Sequence, residues 1–329
     1  SYDALVAQYL SYQLKISFPK TLTVTYEKTQ DMLYGENPHQ RAAVYREPLL
    51  KEGSIARARQ LAGADLTYSN IHDANAALEL IKEFDDPTVV VCKHCMPCAA
   101  GTGSDLCEAF ARAKGADPAG LRGGILAVNG VVDARMAAEL RDTGAEAVIA
   151  VGFTPEAMSE LRFQKALILL EMPDIRSKVQ FRTFDMKKIY GGLLVQTYDT
   201  ALSDGAVCVT AKKPSDEEMR ALEFNYKVAK HAHSSAVVIG NAGETLGLGS
   251  GQSNRMLAFR FAVELAGDRT QGAVIASDSG LLTLETLEEC KDLGITAVIQ
   301  TGAPDSKVIK LCDKYGISVI CTQLRHFKA

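Results

Sequence analysis

Helices and short apolar strands alternate along most of this chain, and that alternation confines it to a sheet covered by helices. In the first half the apolar runs are Val89–Val91, Ile125–Val128, Ala147–Ala150 and Ala166–Leu170. The second half repeats the pattern with Ala236–Gly240, Thr245–Gly249, Val274–Ala276, Ala297–Gln300 and Ser318–Cys321. Between them the residue pattern predicts helices over 71–84, 104–113, 134–141, 155–161, 215–231 and 252–265. The expected class is therefore α/β, a parallel or mixed sheet with helices on its faces. No short sequence repeat is present, yet the halves read as similar layers with a boundary near residue 200, giving units 1–200 and 201–329. Residues 1–12 carry Leu5, Val6, Tyr9 and Leu10 on a short helical face, and Thr21–Tyr26 alternates as a strand does. Residues 177–200, with Val179–Arg182 and Gly192–Val195, read as an antiparallel interruption between the units.

Length and charge exclude several classes. A chain of 329 residues is long enough for two ordinary domains, and 47% hydrophobic with 23% charged residues fits a soluble globular protein. A formal net charge of -4 offers no electrostatic reason to bind nucleic acid or a membrane surface. No apolar run approaches the length of a membrane span. The start, Ser1-Tyr2-Asp3-Ala4, lacks the basic and apolar parts of a signal peptide, and eight cysteines without a small-domain framework fit a reducing compartment. The expected location is the cytoplasm.

The most informative stretch is Val89–Cys98. Three β-branched residues run into Lys93-His94, a cation beside an imidazole, and Pro97 is expected to stop the strand pairing. Chemistry in open α/β sheets collects outside the carboxyl ends of strands, where this pair would sit. The plainer alternative is a solvated strand-end lysine and an ordinary core histidine. Cys92, Cys95 and Cys98 share the stretch, and their spacing, with Cys107 beyond, is one that binds zinc or an iron–sulfur cluster. Against a metal, Cys107 falls in a predicted helix, and Cys92 lies on a strand whose side chains alternate. Cys208, Cys290, Cys312 and Cys321 are scattered singly, as small buried hydrophobes are. Gly247-Leu248-Gly249-Ser250-Gly251 has the look of a phosphate loop but lacks the Lys-Ser/Thr of a P-loop and the full dinucleotide spacing.

A set of motifs carries a family resemblance. It comprises Tyr34-Gly35-Glu36-Asn37-Pro38-His39-Gln40, Leu66-Thr67-Tyr68-Ser69-Asn70-Ile71, Lys93-His94, Val132-Asp133-Ala134, Ile149-Ala150-x-Gly152-Phe153, Gly249-x-Gly251-Gln252, Ala276-Ser277-Asp278 and Arg325-His326-Phe327. In this order, across nearly the whole chain, they resemble the transformylase part of the bifunctional purine enzymes that also carry inosine monophosphate cyclohydrolase. The cyclohydrolase half has no counterpart in these residues, and residues 1–12 resemble the tail of a linker that would follow it. The resemblance implies two cytidine-deaminase-like subdomains and a homodimer with active sites at the interface. It implies formyl transfer from 10-formyltetrahydrofolate, as cosubstrate, to the 5-amino group of phosphoribosylaminoimidazolecarboxamide (AICAR), giving FAICAR in purine biosynthesis. It implies no catalytic metal and leaves room for a structural monovalent cation. The deaminase signature is missing as well, since Cys95-Met96 follows His94.

The same resemblance distributes roles. His94 is the expected base, because an imidazole takes up a proton near neutral pH, and Lys93 the partner of the oxyanion. Ser235 stands where relatives place an asparagine that assists transfer. Tyr34, His39, Asn70, Gly123, Glu146 and Arg325 are the expected nucleotide contacts, with the Arg325 guanidinium on the phosphate. Gln252, Arg255, Met256, Asp278, Gly280 and Leu282 are the expected donor contacts. Departures accompany the match: Leu33 replaces an arginine, and Gly120-Leu121-Arg122-Gly123 replaces Ser-x-Phe-Gly. Ser279–Thr283 replaces an aromatic and proline stretch, and Ala329 stands where a histidine is usual. Two alternatives follow, a non-catalytic or altered-donor paralogue and a metal-binding variant using Cys92, Cys95 and Cys98.

Overall fold

The structure, a computed structural model, describes residues 2–13, 17–48, 52–178 and 184–329. A helix, α1 (Tyr2–Gln13), and a hairpin of β1 (Glu27–Met32) and β2 (Ala42–Arg46) precede the main body. The first unit then runs β3 (Arg59–Ala62), α2 (Tyr68–Ile81), β4 (Thr88–Lys93), β5 (Met96–Thr102), α3 (Leu106–Ala116), α4 (Pro118–Leu121), β6 (Ile125–Val132), α5 (Ala134–Leu140), β7 (Ala147–Phe153), α6 (Pro155–Leu161) and β8 (Ile168–Glu171). A hairpin of β9 (Phe184–Ile189) and β10 (Gly192–Thr197) follows. The second unit runs β11 (Val207–Cys208), α7 (Asp216–His231), β12 (Val237–Asn241), β13 (Glu244–Gly249), α8 (Arg255–Ala266), β14 (Val274–Ser277), α9 (Leu284–Asp292), β15 (Ala297–Thr301), α10 (Ser306–Tyr315) and β16 (Ser318–Thr322).

The two units repeat one strand plan. In the first, the order is β5-β4-β6-β7-β8-β3, and in the second β13-β12-β14-β15-β16-β11. They meet where β13 lies antiparallel to β5, so twelve strands form one continuous sheet. Within each unit the inner hairpin is antiparallel, three strands are parallel, and a short antiparallel strand closes the outer edge. Short edge strands limit pairing with other chains.

Helices cover both faces. On one face α2 and α7 lie over a core that spans both units, with Leu78, Ile81, Leu222 and Tyr226 packed on Val90, Ile149, Val238 and Ile299. On the other, α3, α5 and α6 cover the first unit, and α8, α9 and α10 the second. Each fully buried Leu, Ile or Val side chain contributes about 1.5–3 kcal/mol. Helix starts are written in the sequence: Thr67 with Asn70, Ser215 with Glu218, and Thr283 with Thr286 form reciprocal capping boxes.

Two expectations need correction. Thr21–Tyr26 is not a strand; pairing begins at Glu27. Alternation makes a strand only where a partner edge exists, and here the segment runs instead beside the β9–β10 hairpin, with Phe18 on Phe184 and the Tyr26 hydroxyl on Met186. Pro97 does not stop pairing. It sits in β5 opposite Cys92, beside a bulge that leaves Cys98 as the extra residue, and a bulge is where a sheet tolerates proline. Gly247–Gly249 is strand, as the apolar run Thr245–Gly249 indicates, ending β13 under α8. The antiparallel interruption is present as β9 and β10, while Val179–Arg182 lies outside the described residues.

An ionic cluster locks α2 to α7. Glu83, just past α2, accepts from Lys230 Nζ at 2.8 Å and lies 2.9 Å from His231 Nε2. Burial alone would raise the Glu83 carboxyl, but these bonds and charges outweigh it and hold it down at about 2. The Lys230 side chain is only 3% exposed, so removing its counter-charge strands a buried ammonium. Glu83→Gln is therefore expected to cost about 3 kcal/mol by denaturant unfolding at pH 7. A depressed carboxyl stabilises above the ordinary glutamate range and loses that contribution as pH falls through the folded value of about 2. The gap between the two proteins should accordingly close in acid; a constant gap down to pH 2 would contradict this.

Candidate active site

The turn after β4 is the focus. Lys93 is the last residue of that strand, and His94 (φ 53°) and Cys95 (φ 61°) form the two-residue left-handed turn leading into β5. One side chain from α2 closes it: Asp73 accepts the His94 N–H at 2.9 Å, the Cys95 N–H at 2.8 Å and the Cys95 thiol at 3.2 Å. Lys93 Nζ donates to the Arg122 carbonyl at 2.9 Å. Gly123 (φ +72°) turns the chain so that this carbonyl faces the lysine. The His94 ring is exposed and makes no hydrogen bond among the described residues.

Most of the expected site residues collect at the same edge of the sheet. The carboxyl ends of β4, β13, β14, β15 and β16 are there, together with the amino ends of β5, β6, β7, β8 and β12. The expectation that Lys93-His94 stands outside the carboxyl ends of a sheet thus holds for β4 and the second unit. It fails for β6, β7 and β8, because β4 runs antiparallel to β6. Gly123 and Glu146 precede β6 and β7 at this edge, and Glu146 is exposed.

The second unit reaches the turn through Ser250–Gln252. Ser250 Oγ lies 3.4 Å from Met96 Sδ, and the Ser235 N–H donates to the Gln252 carbonyl at 3.0 Å. Asp278 is buried and accepts the Ala236 N–H at 3.1 Å, fixing the backbone beside Ser235. Arg255 donates to the Gly280 carbonyl, and Met256 is half-buried against the core of its unit. Leu282 is buried against the same core. Arg325 is exposed, with its guanidinium 4.9 Å from the Phe327 ring centre.

The remaining expected contacts come from two places. Tyr34 is half-buried and His39 exposed in the loop between β1 and β2, and Glu36 of the same loop is near enough for its charge to act on the Cys95 thiol. Asn70 is buried with its side-chain oxygen already accepting the Thr67 N–H of the capping box. Asp73 escapes the sequence reading. Its only signal is a position three residues after Asn70 on the same helix face, and the pattern does not say which turn packs there.

Beside the turn lies a cleft of about 530 Å³ between α2, the end of α7, the β9–β10 hairpin and residues 326–329. Cys95 stands on its rim, and His72, Glu79, Lys230, His231, His233 and Lys328 are among its walls. Burial lowers His231 and His233 below the ordinary imidazole range, with the Lys328 charge adding to this at both. Lys328 pairs with Glu79 at 3.4 Å. The cleft carries charges of both signs, with Lys82, Lys178, Lys187, Lys230 and Lys328 beside Glu79, Glu83, Asp185 and Asp199.

The cysteines do not converge. Cys92 packs into the core under α2, whereas Cys98 packs against the core on the opposite face of the sheet. Among the described residues no three metal-capable side chains come together.

Fold and site together define an α/β protein of two similar helix-covered units, whose Lys–His turn and charge-lined cleft share one side of a common sheet. The chain belongs to the AICARFT/IMPCHase bienzyme family, which residues 1–265 match. It is 45% identical over 332 residues to the bifunctional purine biosynthesis protein PurH of Acetivibrio thermocellus, covering 99% of this chain and 65% of that protein. The PurH proteins of Ruminiclostridium cellulolyticum and Anoxybacillus flavithermus are 43% and 44% identical over the same length. This chain thus spans 65% of the length of the curated relatives it matches. A solved structure, RibD of Acinetobacter baumannii, overlaps 31% of the chain at 20% identity and a TM-score of 0.22, too slight a likeness to bear on the fold.

Thiol chemistry offers a check on this geometry. Burial first, then the Asp73 bond and charge, push the Cys95 thiol up to about 12; burial and the Asp117 charge push Cys98 equally high. At pH 8 both should alkylate on the order of 10²–10³ times more slowly than a free cysteine, because the thiolate is the nucleophile. Peptide mass spectrometry after timed iodoacetamide treatment measures this. Modification of Cys95 at the rate of a free thiol would contradict the described turn.

Proposed function

We propose that this chain transfers the formyl group of 10-formyltetrahydrofolate to the 5-amino group of AICAR, giving FAICAR. The observation that carries the reading is the Lys93–His94 turn, whose exposed imidazole has no hydrogen bond among the described residues, in a chain similar along its length to bifunctional purine biosynthesis proteins. The AICAR amine is a poor nucleophile, since its lone pair is delocalised into the ring and carboxamide. As its nitrogen bonds the formyl carbon, His94 takes the proton. The tetrahedral oxygen becomes negative, and Lys93 stabilises it. One of the three ammonium donors is held by the Arg122 carbonyl, which leaves two for the oxyanion. The intermediate collapses as the bond from formyl carbon to the folate nitrogen breaks. That nitrogen takes up a proton, and tetrahydrofolate leaves.

Ser235 contributes one hydroxyl donor on the second-unit side of the turn. Arg325 and Tyr34 take the phosphate, with His39, Asn70, Gly123 and Glu146 around the rest of the nucleotide. Gln252, Arg255, Met256, Asp278 and Gly280 face the donor. The two units correspond to cytidine-deaminase-like subdomains, residues 1–200 and 201–329. We take the active assembly to be a cytoplasmic homodimer with sites at its interface. Exposed Ile189, Tyr190, Leu193 and Leu194 on the β9–β10 hairpin, with Phe18 against Phe184 of β9 and Tyr45 on β2, support a partner copy. Among the described residues no helix is long and apolar enough to cross a membrane.

Steady-state turnover with AICAR and 10-formyltetrahydrofolate tests the reading. His94→Ala should lower kcat by roughly 10²–10⁴ while AICAR affinity changes little. Equal losses in turnover and affinity would make His94 a binding residue only. Arg325→Ala should weaken AICAR binding by roughly tenfold or more, yet leave the phosphate-free base nearly unaffected, because the lost bond is charge-assisted. Calorimetry with both ligands reads the difference; equal losses would remove Arg325 from the phosphate.

A further inference from the structure

We infer that the Asp73 carboxylate is the positioning residue for His94, holding the left-handed turn that aims the imidazole. The inference rests on the formyl-transfer reading and goes one residue beyond it. Left-handed backbone suits glycine, asparagine or aspartate, yet this turn puts His94 and Cys95 there in succession. Such a conformation persists only where its surroundings over-determine it. Asp73 supplies that determination. Oδ2 takes the His94 N–H and Oδ1 takes the Cys95 N–H, one oxygen to each amide, so the plane of the carboxylate fixes the plane of the turn. The Cys95 thiol adds a third donor on Oδ1. Bonds to an ionised acceptor are the strong ones.

The ring of His94 has no partner of its own among the described residues, so nothing but the backbone directs it. Asp73 is in turn fixed by α2. That helix starts from the Thr67–Asn70 capping box and buries Ala74, Ala77 and Leu78 directly after Asp73. The imidazole is therefore referenced to the sheet core through one helix and one carboxylate. Among the described residues Asp73 forms no ion pair, so both its oxygens serve the turn.

Misplacing a reacting group by about an ångström costs on the order of 10²-fold in rate. Asp73→Ala should lower kcat by roughly 10–100-fold, with the KM for AICAR changing less than about threefold. Asp73→Asn keeps one acceptor oxygen and should fall between. In the Asp73→Ala background, Cys95→Gly should recover at least about threefold of the lost kcat, because glycine adopts the left-handed conformation freely. Cys95 takes no part in the proton transfer, so recovery of kcat there reports the turn. A KM that rises in step with the fall in kcat, or no recovery on adding Cys95→Gly, overturns the inference. Amide hydrogen exchange in the ligand-free protein judges it apart from turnover. The His94 and Cys95 amides should exchange at least about tenfold faster in Asp73→Ala, with the rest of α2 unchanged. Unchanged protection there sinks the positioning role even where turnover falls, and absence of turnover in the unmodified chain sinks the catalytic reading alone.

Discussion

The candidate site depends on how closely α3 and α8 press against the two central strands. A methyl group at Gly101 would collide with the Ala109 carbonyl, and one at Gly247 or Gly249 with the carbonyls of Ala262 or Ala258. Backbone therefore meets backbone at both helices, which no residue but glycine permits. The contact also fixes the junction of the two units, where Thr245 Oγ1 takes the Ala100 N–H at 3.0 Å across the β13–β5 pair. With α8 held this tightly, the residues between β13 and α8 have one place to go, beside Met96 at the Lys93–His94 turn. Two units with little direct sequence likeness thus contribute to one region.

That geometry explains what is readable from the sequence and what is not. The alternation of apolar runs and helical segments predicts β4, β6–β8 and β12–β16 with the longer helices between them, because those runs are buried and those helices have polar caps; it misses the short edge strands β3 and β11, and β5. Thr21–Tyr26 misleads, since alternation carries no information about whether a partner edge is near. Pro97 misleads in the opposite sense, because a bulge is a property of two strands and not of one. The Lys93–His94 pair is legible from residue type and from the family match. Its support is not: Asp73 lies on a helix 21 residues upstream of His94, and only the packing of α2 on the sheet brings carboxylate and turn together.

The charges around the cleft are arranged as pairs rather than as a bare cationic surface. Lys230 is neutralised by Glu83 and Lys328 by Glu79, and burial favours the neutral form of His231 and His233. An anion entering here meets donors already held in position, with little reorganisation left to oppose binding. The cost of that order is borne by α2 and α7, whose ends carry the buried Glu83–Lys230 pair. The same helix, α2, also carries Asp73. Stability of the inter-unit contact and placement of the imidazole thus depend on one element.

A crystal structure of this protein with AICAR bound tests the account most directly. The account predicts the 5-amino nitrogen within about 3.2 Å of the His94 ring, or one water away, with Lys93 on the side where the formyl oxygen would lie. It also predicts that the Asp73 carboxylate still bridges the amides of His94 and Cys95. AICAR bound elsewhere, or bound at this edge with its amine turned away from His94, would contradict it.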